Sequence, residues 1–501
     1  MSTRNSELTP VALFSKQGSD LAAFIGINAP SREFSFSGVT LDSRAVGAGD
    51  LFIALSGAKV HGATFVNDVI AAGAVAILTD FVGAQLITAE IPVLVVSNPR
   101  SWVGAIASWF YGNPFSALDA VGITGTNGKT TTASLVDQIW RLDGRASGFI
   151  GTIGISIEGE EYGATYTTPE GTDLQAVVAT MREQHVRNLV MEVSSHALSM
   201  GRVSGAHFKV VGFTNLTQDH LDFHGDMESY FLAKSRLFTN EFADIAIVNI
   251  DSEYGQRLFA EATIPMLTVS RSNPRADWHY ERFIALQSGV GYEVAIRGTG
   301  GILIEGHLPL LGLHNLDNAI LAFALAVESG VDPIALAHYM RKLTAPVGRL
   351  EPVEVGQKFL ALVDYAHTPD AVSRALTTAR SLTSGRVIAV LGCGGDRDKS
   401  KRPIMGRALR DGSDVAVFTS DNPRSEDPLQ ILAEMVAGSA DSDEIIEPDR
   451  RSAIARAVLE AEPGDCVIVL GKGHERGQEI KGVKYPFDDR IELARAIEEL
   501  S

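Results

Sequence analysis

Residues 122–132 read GITGTNGKTTT and sit between a strand-like AVGIT and a helix-like TASLVDQIW. A turn of this kind is suited to holding phosphate. Its glycines let backbone N–H groups aim at phosphate oxygens, and the N-terminus of the helix that follows adds positive potential. Lys129 can reach β- and γ-phosphates, and Thr130 offers a hydroxyl to Mg²⁺. The spacing departs from GxxxxGK[ST], because Ile123 stands where the first glycine usually does. The plainer alternative is an ordinary Gly-rich strand-to-helix turn. The run NLVMEVSSH ends in Glu192, placed like the acid that closes a Walker B strand and able to ligate Mg²⁺ or hold a water. A capping or solvated acid is the competing reading there. NLTQDHLDFHG gathers Asp219, His220, Asp222 and His224 without the HExxH spacing that puts two zinc ligands on one helix face, so a polar loop is the default expectation.

These residues need elements to position them. At roughly 150 residues per domain, 501 residues predict two to four domains. The stretches YGNPFSAL at 111–118 and TAPVGRL at 344–350 combine Pro and Gly as linkers do, and they divide the chain into 1–113, 114–346 and 347–501. In each block short apolar runs alternate with helical stretches. The class is therefore α/β: a small N-terminal α/β unit, a central unit on a mainly parallel sheet, and a third unit in which FLALVDYAH, RVIAVLGCGG, DVAVFTSDNPR and DCVIVLGKGHE each end in a polar or Gly loop. In open parallel sheets such strand ends are where ligands bind. The helical run NAILAFALAVES is expected in the core.

Composition excludes several functions. Lys and Arg number 43 against 61 Asp and Glu, a net charge of −18 that repels a nucleic-acid backbone. The two cysteines, Cys393 and Cys466, support neither a disulfide framework nor a cysteine zinc site, which fits a reducing cytoplasm. Cys393 reads as a small buried residue beside a turn. GCGGDR is not GxGxxG, since Arg397 takes the last glycine position, so NAD is not expected. Neither an export signal nor a membrane span is expected.

Together TGTNGKTTT, EVSSHAL, FTNLTQDHLDFHG, LGLHNLDNA, VDYAHTPDA, GCGGDRDKSKRP, DNPRSEDP and LGKGHE resemble the Mur ligase family, in the order found in its UDP-N-acetylmuramoyl-tripeptide synthetases. The resemblance implies three domains: an N-terminal one for the UDP end of the substrate, a central P-loop ATPase, and a C-terminal Rossmann-like one for an incoming diamino acid. It implies that ATP phosphorylates the carboxylate ending UDP-MurNAc-L-Ala-D-Glu, after which an amine attacks the acyl phosphate. The ATP site would comprise Gly125, Thr126, Asn127, Gly128, Lys129, Thr130, Thr131, Asn315, Arg349 and Asp364. Two Mg²⁺ would be served by Thr130, Glu192, His220 and Lys234, the last as a carbamate formed from CO₂. Lys129, Glu192, His220 and Lys234 would then form the catalytic set. Spacing alone would make Lys234, in YFLAKSRLF, a surface helix lysine.

For the nucleotide substrate the resemblance selects Leu41, Ser43, Thr167, Thr168, Ser194 and Arg202. Met200 stands where the family often has Gln. For the diamino acid it selects Arg397, Asp421, Asn422, Pro423, Arg424, Gly471 and Glu475. The DNPR segment favours meso-2,6-diaminopimelate, because Arg424 can grip the distal carboxylate that L-lysine lacks. A cytoplasmic monomer is expected. The alternatives are the same reaction with L-lysine, another GTNGK-loop ligase such as a folylpolyglutamate-type synthetase, and a binding protein that uses the loop as an NTP switch.

Overall fold

The computed structural model describes residues 8–57, 59–286, 291–437 and 444–500. Aliphatic runs too apolar for a half-wetted strand form parallel sheets with helices on their faces. In the N-terminal part, Gly38–Thr40, Asp50–Ile53, Ala76–Thr79 and Val93–Val95 pair in that order, all parallel.

The central sheet has eleven strands. Its middle is parallel throughout, running from Ser147–Gly151 across Asn188–Glu192, Asp119–Thr124, Phe208–Phe213, Ala243–Asn249 and Met266–Ser270 to Trp278–Ala285. Both edges turn antiparallel. Gly154–Ile157 and Glu160–Tyr162 fold back on one side, and Tyr292–Arg297 and Leu303–Leu308 on the other. The mainly parallel sheet read from sequence describes the middle; the edges come from short hairpins that need no crossover helix.

Apolar on nearly every face, the helix Leu313–Glu328 is buried against the helix Lys129–Leu142 and the sheet, as its composition demands. The Trp140 indole N–H donates to the Ser329 hydroxyl at 3.0 Å, giving that buried ring its one polar partner.

The third sheet runs Glu351–Pro352, Leu360–Asp364, Cys466–Leu470, Val387–Cys393, Val415–Ser420, Ile445–Ile446, parallel except at its first pair. Two of its strand ends are fixed from below by a fully buried ion pair. Arg450 meets Asp489 with two hydrogen bonds of 2.7 Å, and it also donates to the carbonyls of Ser420 at 3.2 Å and Leu470 at 2.8 Å. Removing either partner would strand the other charge in the core, at a cost of about 3–5 kcal/mol. The pair thus holds the backbone immediately before Asp421 and Gly471. Among the described residues no helix is long and apolar enough to cross a membrane.

Candidate active site

Ile123 lies inside the strand Asp119–Thr124, so the turn proper is residues 125–128 and the helix begins at Lys129. This accounts for the departure from GxxxxGK[ST]: the loop leaves its strand later. Gly125 has φ +147° and Gly128 φ +87°, and an added Cβ would fall 1.9 Å from the Thr214 hydroxyl and 2.1 Å from Asn318 Oδ1 respectively. Only glycine fits either place.

Strand register then brings the remaining groups to this loop. Glu192 pairs with Ile123, and Phe213 with Thr124, so the loops after three neighbouring strands share one edge. Glu192 is buried; its carboxylate accepts from the Thr152 N–H at 2.8 Å and the Thr152 hydroxyl at 3.1 Å. Lys129 donates to the carbonyls of Gly125 at 3.0 Å and Thr126 at 2.9 Å. Lys234 is 2% exposed and donates to the same Gly125 carbonyl at 2.8 Å. Burial, then the neighbouring Lys129, holds the Lys234 ammonium well below its ordinary range. Burial also lowers Lys129, with Glu192 and Asp219 opposing. His220 takes a left-handed backbone, φ +54°, and burial pushes its imidazole down to about 3 against the pull of Asp219. His220 is therefore neutral near pH 7, the form in which an imidazole is a ligand, and for Lys234 burial favours the uncharged form, in which an amine is a nucleophile.

A cavity of about 220 Å³ opens beside the loop, lined by Asn127, Gly128, Thr131, Asn315, Arg349 and Asp364. Arg271 and Asp317 also face it, and sequence reasoning missed both; they pair at 2.8 Å, and burial pushes Asp317 up to about 6. Asn315 donates to the Leu311 carbonyl at 2.8 Å and accepts from Asn318 at 2.9 Å. Residues of the third sheet reach across to the loop. Arg349 donates to the Thr130 hydroxyl at 3.2 Å while stacking on Tyr365, Asn127 donates to Asp370 at 3.2 Å, and Lys401 pairs with Asp219 at 2.5 Å. Asp364 accepts from the N–H groups of Leu350 at 2.7 Å and Ala366 at 2.8 Å, which fixes the backbone next to Arg349.

Leu41 and Ser43 line a separate cleft of about 1080 Å³ that runs from the N-terminal sheet to Tyr166 and Glu170. Thr167, Thr168, Ser194 and Arg202 are not in its lining. They form a hydrogen-bonded patch between the cleft and Glu192. The Thr167 and Thr152 hydroxyls meet at 3.1 Å, Thr168 donates to the Glu192 carbonyl at 2.8 Å and accepts from the Ser194 N–H at 3.1 Å, and Arg202 donates to the Thr168 carbonyl at 3.2 Å. Arg202 also pairs with Glu170 at 2.9 Å and lies 3.6 Å from Met200 Sδ.

On the third sheet, loops 394–397, 421–424 and 471–475 meet at one edge. The Gly395 N–H donates to the Asn422 carbonyl at 2.9 Å, and Arg424 donates to the Gly395 carbonyl at 2.6 Å. Gly394 separates the two predicted arginines: a methyl there would lie 3.0 Å from Arg424 Nη1 and 3.7 Å from Arg397 Cγ. Arg397 is exposed. Arg424 does not brace against Glu426 or Asp427, because Arg402 and Lys399 take Glu426 and Asp427 caps the helix Pro428–Val436. It leans instead toward Glu479, at 3.5 Å. Pro423 lies in the same loop, and Glu475 accepts from Asn422 Nδ2 at 2.9 Å. Lys472, fully buried between Asp421 and Glu475, was missed; its only signal was a lysine between two glycines after a strand. Burial pushes the Cys393 thiol up to about 12, so it is no nucleophile.

The site thus joins a glycine turn of the kind that cradles phosphate, an acid at a strand end, a buried amine and a polar pocket on a second sheet, an arrangement suited to phosphoryl transfer followed by capture of the product. Comparison with known proteins agrees. Residues 35–111 match the Mur ligase family, catalytic domain; residues 123–326 the Mur ligase middle domain; and residues 348–473 the Mur ligase, glutamate ligase domain. The UDP-N-acetylmuramoyl-L-alanyl-D-glutamate–2,6-diaminopimelate ligases of Streptomyces coelicolor and Streptomyces avermitilis are each 46% identical to this chain, with 97% and 96% of both sequences covered. A solved structure of a ligase of that name superposes with a TM-score of 0.65 at 34% identity, covering 93% of this chain and 95% of the other.

Proposed function

The chain belongs to the Mur ligase family, and from that premise we propose that it joins meso-2,6-diaminopimelate to UDP-MurNAc-L-Ala-D-Glu, converting ATP to ADP and phosphate, in peptidoglycan precursor synthesis. The observation that carries this reading is the meeting of the phosphate loop with the third-sheet loops through Arg349–Thr130, Asn127–Asp370 and Lys401–Asp219. The proposed division is at 113/114 and 346/347, with one ligand per unit. The enzyme is placed in the cytoplasm as a monomer, where ATP and nucleotide-linked precursors meet.

A carboxylate is a poor acyl donor until its oxygen becomes part of a phosphate. In this reading Lys129 and the N–H groups at the N-terminus of its helix neutralise charge on the γ-phosphoryl group as the substrate carboxylate oxygen attacks it and ADP leaves, while the N–H groups of Thr126 and Asn127 are held by Asn215 and shape the turn. Arg349, held by Asp364 and Tyr365, orients the nucleotide from the opposite side, with Asn315 near the base. Thr167, Thr168, Ser194 and Arg202 carry the dipeptide from the Leu41–Ser43 cleft toward Glu192. The loops around Asn422 and Arg424 then present the diamino acid's amine to the acyl carbon; the C–N bond forms, phosphate leaves and a proton is lost. Packing of the third sheet against the loop excludes the water that would hydrolyse the acyl phosphate.

Mg²⁺ fits this donor set, because the Thr130 hydroxyl, the Glu192 carboxylate and a neutral His220 lie along the phosphate loop. When bound it would offset phosphate charge. Lys234 supports a carbamate on chemical grounds: burial disfavours its charged form, an uncharged amine can add CO₂ with loss of a proton, and the product is an anionic ligand where Lys129 supplies the compensating charge. Lys234→Ala should lose activity and regain part of it with a short added carboxylate; full activity in CO₂-depleted buffer would remove this role. The reaction itself is tested by omission. ADP should form only when the nucleotide dipeptide and the diamino acid are both present, whereas ADP release with ATP alone at an undiminished rate would favour the NTP-switch reading.

A further inference from the structure

We infer that Lys472 is the positioning residue of the amino-acid site: it orients Asn422 and turns one oxygen of Glu475 toward the substrate ammonium. The inference rests on the ligase reading above and adds a residue to it.

Lys472 is fully buried, and its ammonium has three donors. All three are engaged, by Asn422 Oδ1 at 2.9 Å, Glu475 Oε2 at 3.1 Å and Asp421 Oδ1 at 3.3 Å. It therefore acts as an internal cation and leaves no donor for a ligand.

The consequence passes through Asn422. Its Oδ1 receives both the Lys472 ammonium and the Glu479 N–H, the latter at 2.9 Å. Neither donor can accept a hydrogen bond, so the amide cannot be flipped without setting two donors against its NH₂ group. Nδ2 must then face Glu475, to which it donates at 2.9 Å. Two donors thus converge on Glu475 Oε2, and among the described residues Oε1 receives none, although the side chain is one-third exposed, at 34%. A carboxylate held by one oxygen and open at the other is a ready acceptor for an ammonium group. Lys472 also offsets one of the two negative charges of Asp421 and Glu475, which leaves a net charge matched to one substrate ammonium.

The test is steady-state kinetics of Lys472→Met with each of the three substrates varied in turn. The KM for diaminopimelate should rise roughly 10- to 100-fold, the worth of a charge-assisted hydrogen bond, while the KM values for ATP and the nucleotide dipeptide stay within about twofold. An unchanged diaminopimelate KM, or an equal rise in all three, would overturn the inference. Should Lys472→Met fail to fold, Asn422→Asp decides: it keeps the acceptor for Lys472 but turns a second carboxylate oxygen on Glu475, and it must show the same selective rise. Wild-type enzyme that used no diamino acid would instead defeat the ligase reading itself.

Discussion

Lys129→Ala is expected to abolish ligation, lowering kcat by roughly 10³-fold or more, or several kcal/mol of barrier. The side chain is half-buried at the loop and tied to the Gly125 and Thr126 carbonyls, so in the free enzyme it also closes the turn proposed to take phosphate. Burial lowers its pKa, and an arriving polyphosphate would reverse that trend by supplying the counter-charge. The variant should therefore lose both the preformed turn and the cation that meets the transferred phosphoryl group. Binding of the nucleotide dipeptide should persist, because Leu41 and Ser43 lie in a separate cleft. Near wild-type turnover would remove the loop from the mechanism; parallel loss of dipeptide binding would indicate general misfolding.

The second large effect concerns which amino acid is joined. Arg424 sits at φ +51°, a left-handed backbone uncommon for a non-glycine residue and found where surrounding structure enforces it. Here its N–H donates to the Glu479 carbonyl at 3.0 Å, and its own carbonyl accepts from the Lys481 N–H at 2.7 Å. The guanidinium is thus aimed by the backbone from both sides. L-Lysine in such a site would leave Arg424 without the distal carboxylate, a penalty on the order of 3 kcal/mol or about 10² in specificity. Arg424→Ala should lower kcat/KM for diaminopimelate by about that factor and leave lysine use nearly unchanged. Equal losses for both amino acids would assign Arg424 to bracing the loop.

What could be read from the sequence was local. The phosphate loop was visible because its glycines, lysine and threonines are consecutive, and Glu192 because it ends an apolar run. Lys234 was invisible as a buried group: YFLAKSRLF gives no sign of burial, and its partner, the Gly125 carbonyl, lies 109 residues upstream. Lys472 was hidden in the same way, with partners 50 and 51 residues away across two strands. The adjacency of Glu192 to the loop depends on the parallel register of Asn188–Glu192 against Asp119–Thr124, which crossover connections set and spacing does not encode. The sheet's middle was legible from continuous apolar runs, while its antiparallel edges depended on short turns between weakly patterned strands.

The central claim is tested most directly by incubating the wild-type enzyme with ATP, Mg²⁺, UDP-MurNAc-L-Ala-D-Glu and equal concentrations of meso-diaminopimelate and L-lysine, then weighing the nucleotide product by mass spectrometry. The product should carry diaminopimelate almost alone, with one ADP released per amide formed. A product carrying mainly lysine would contradict the assigned specificity, and no amide product at all would contradict the ligase.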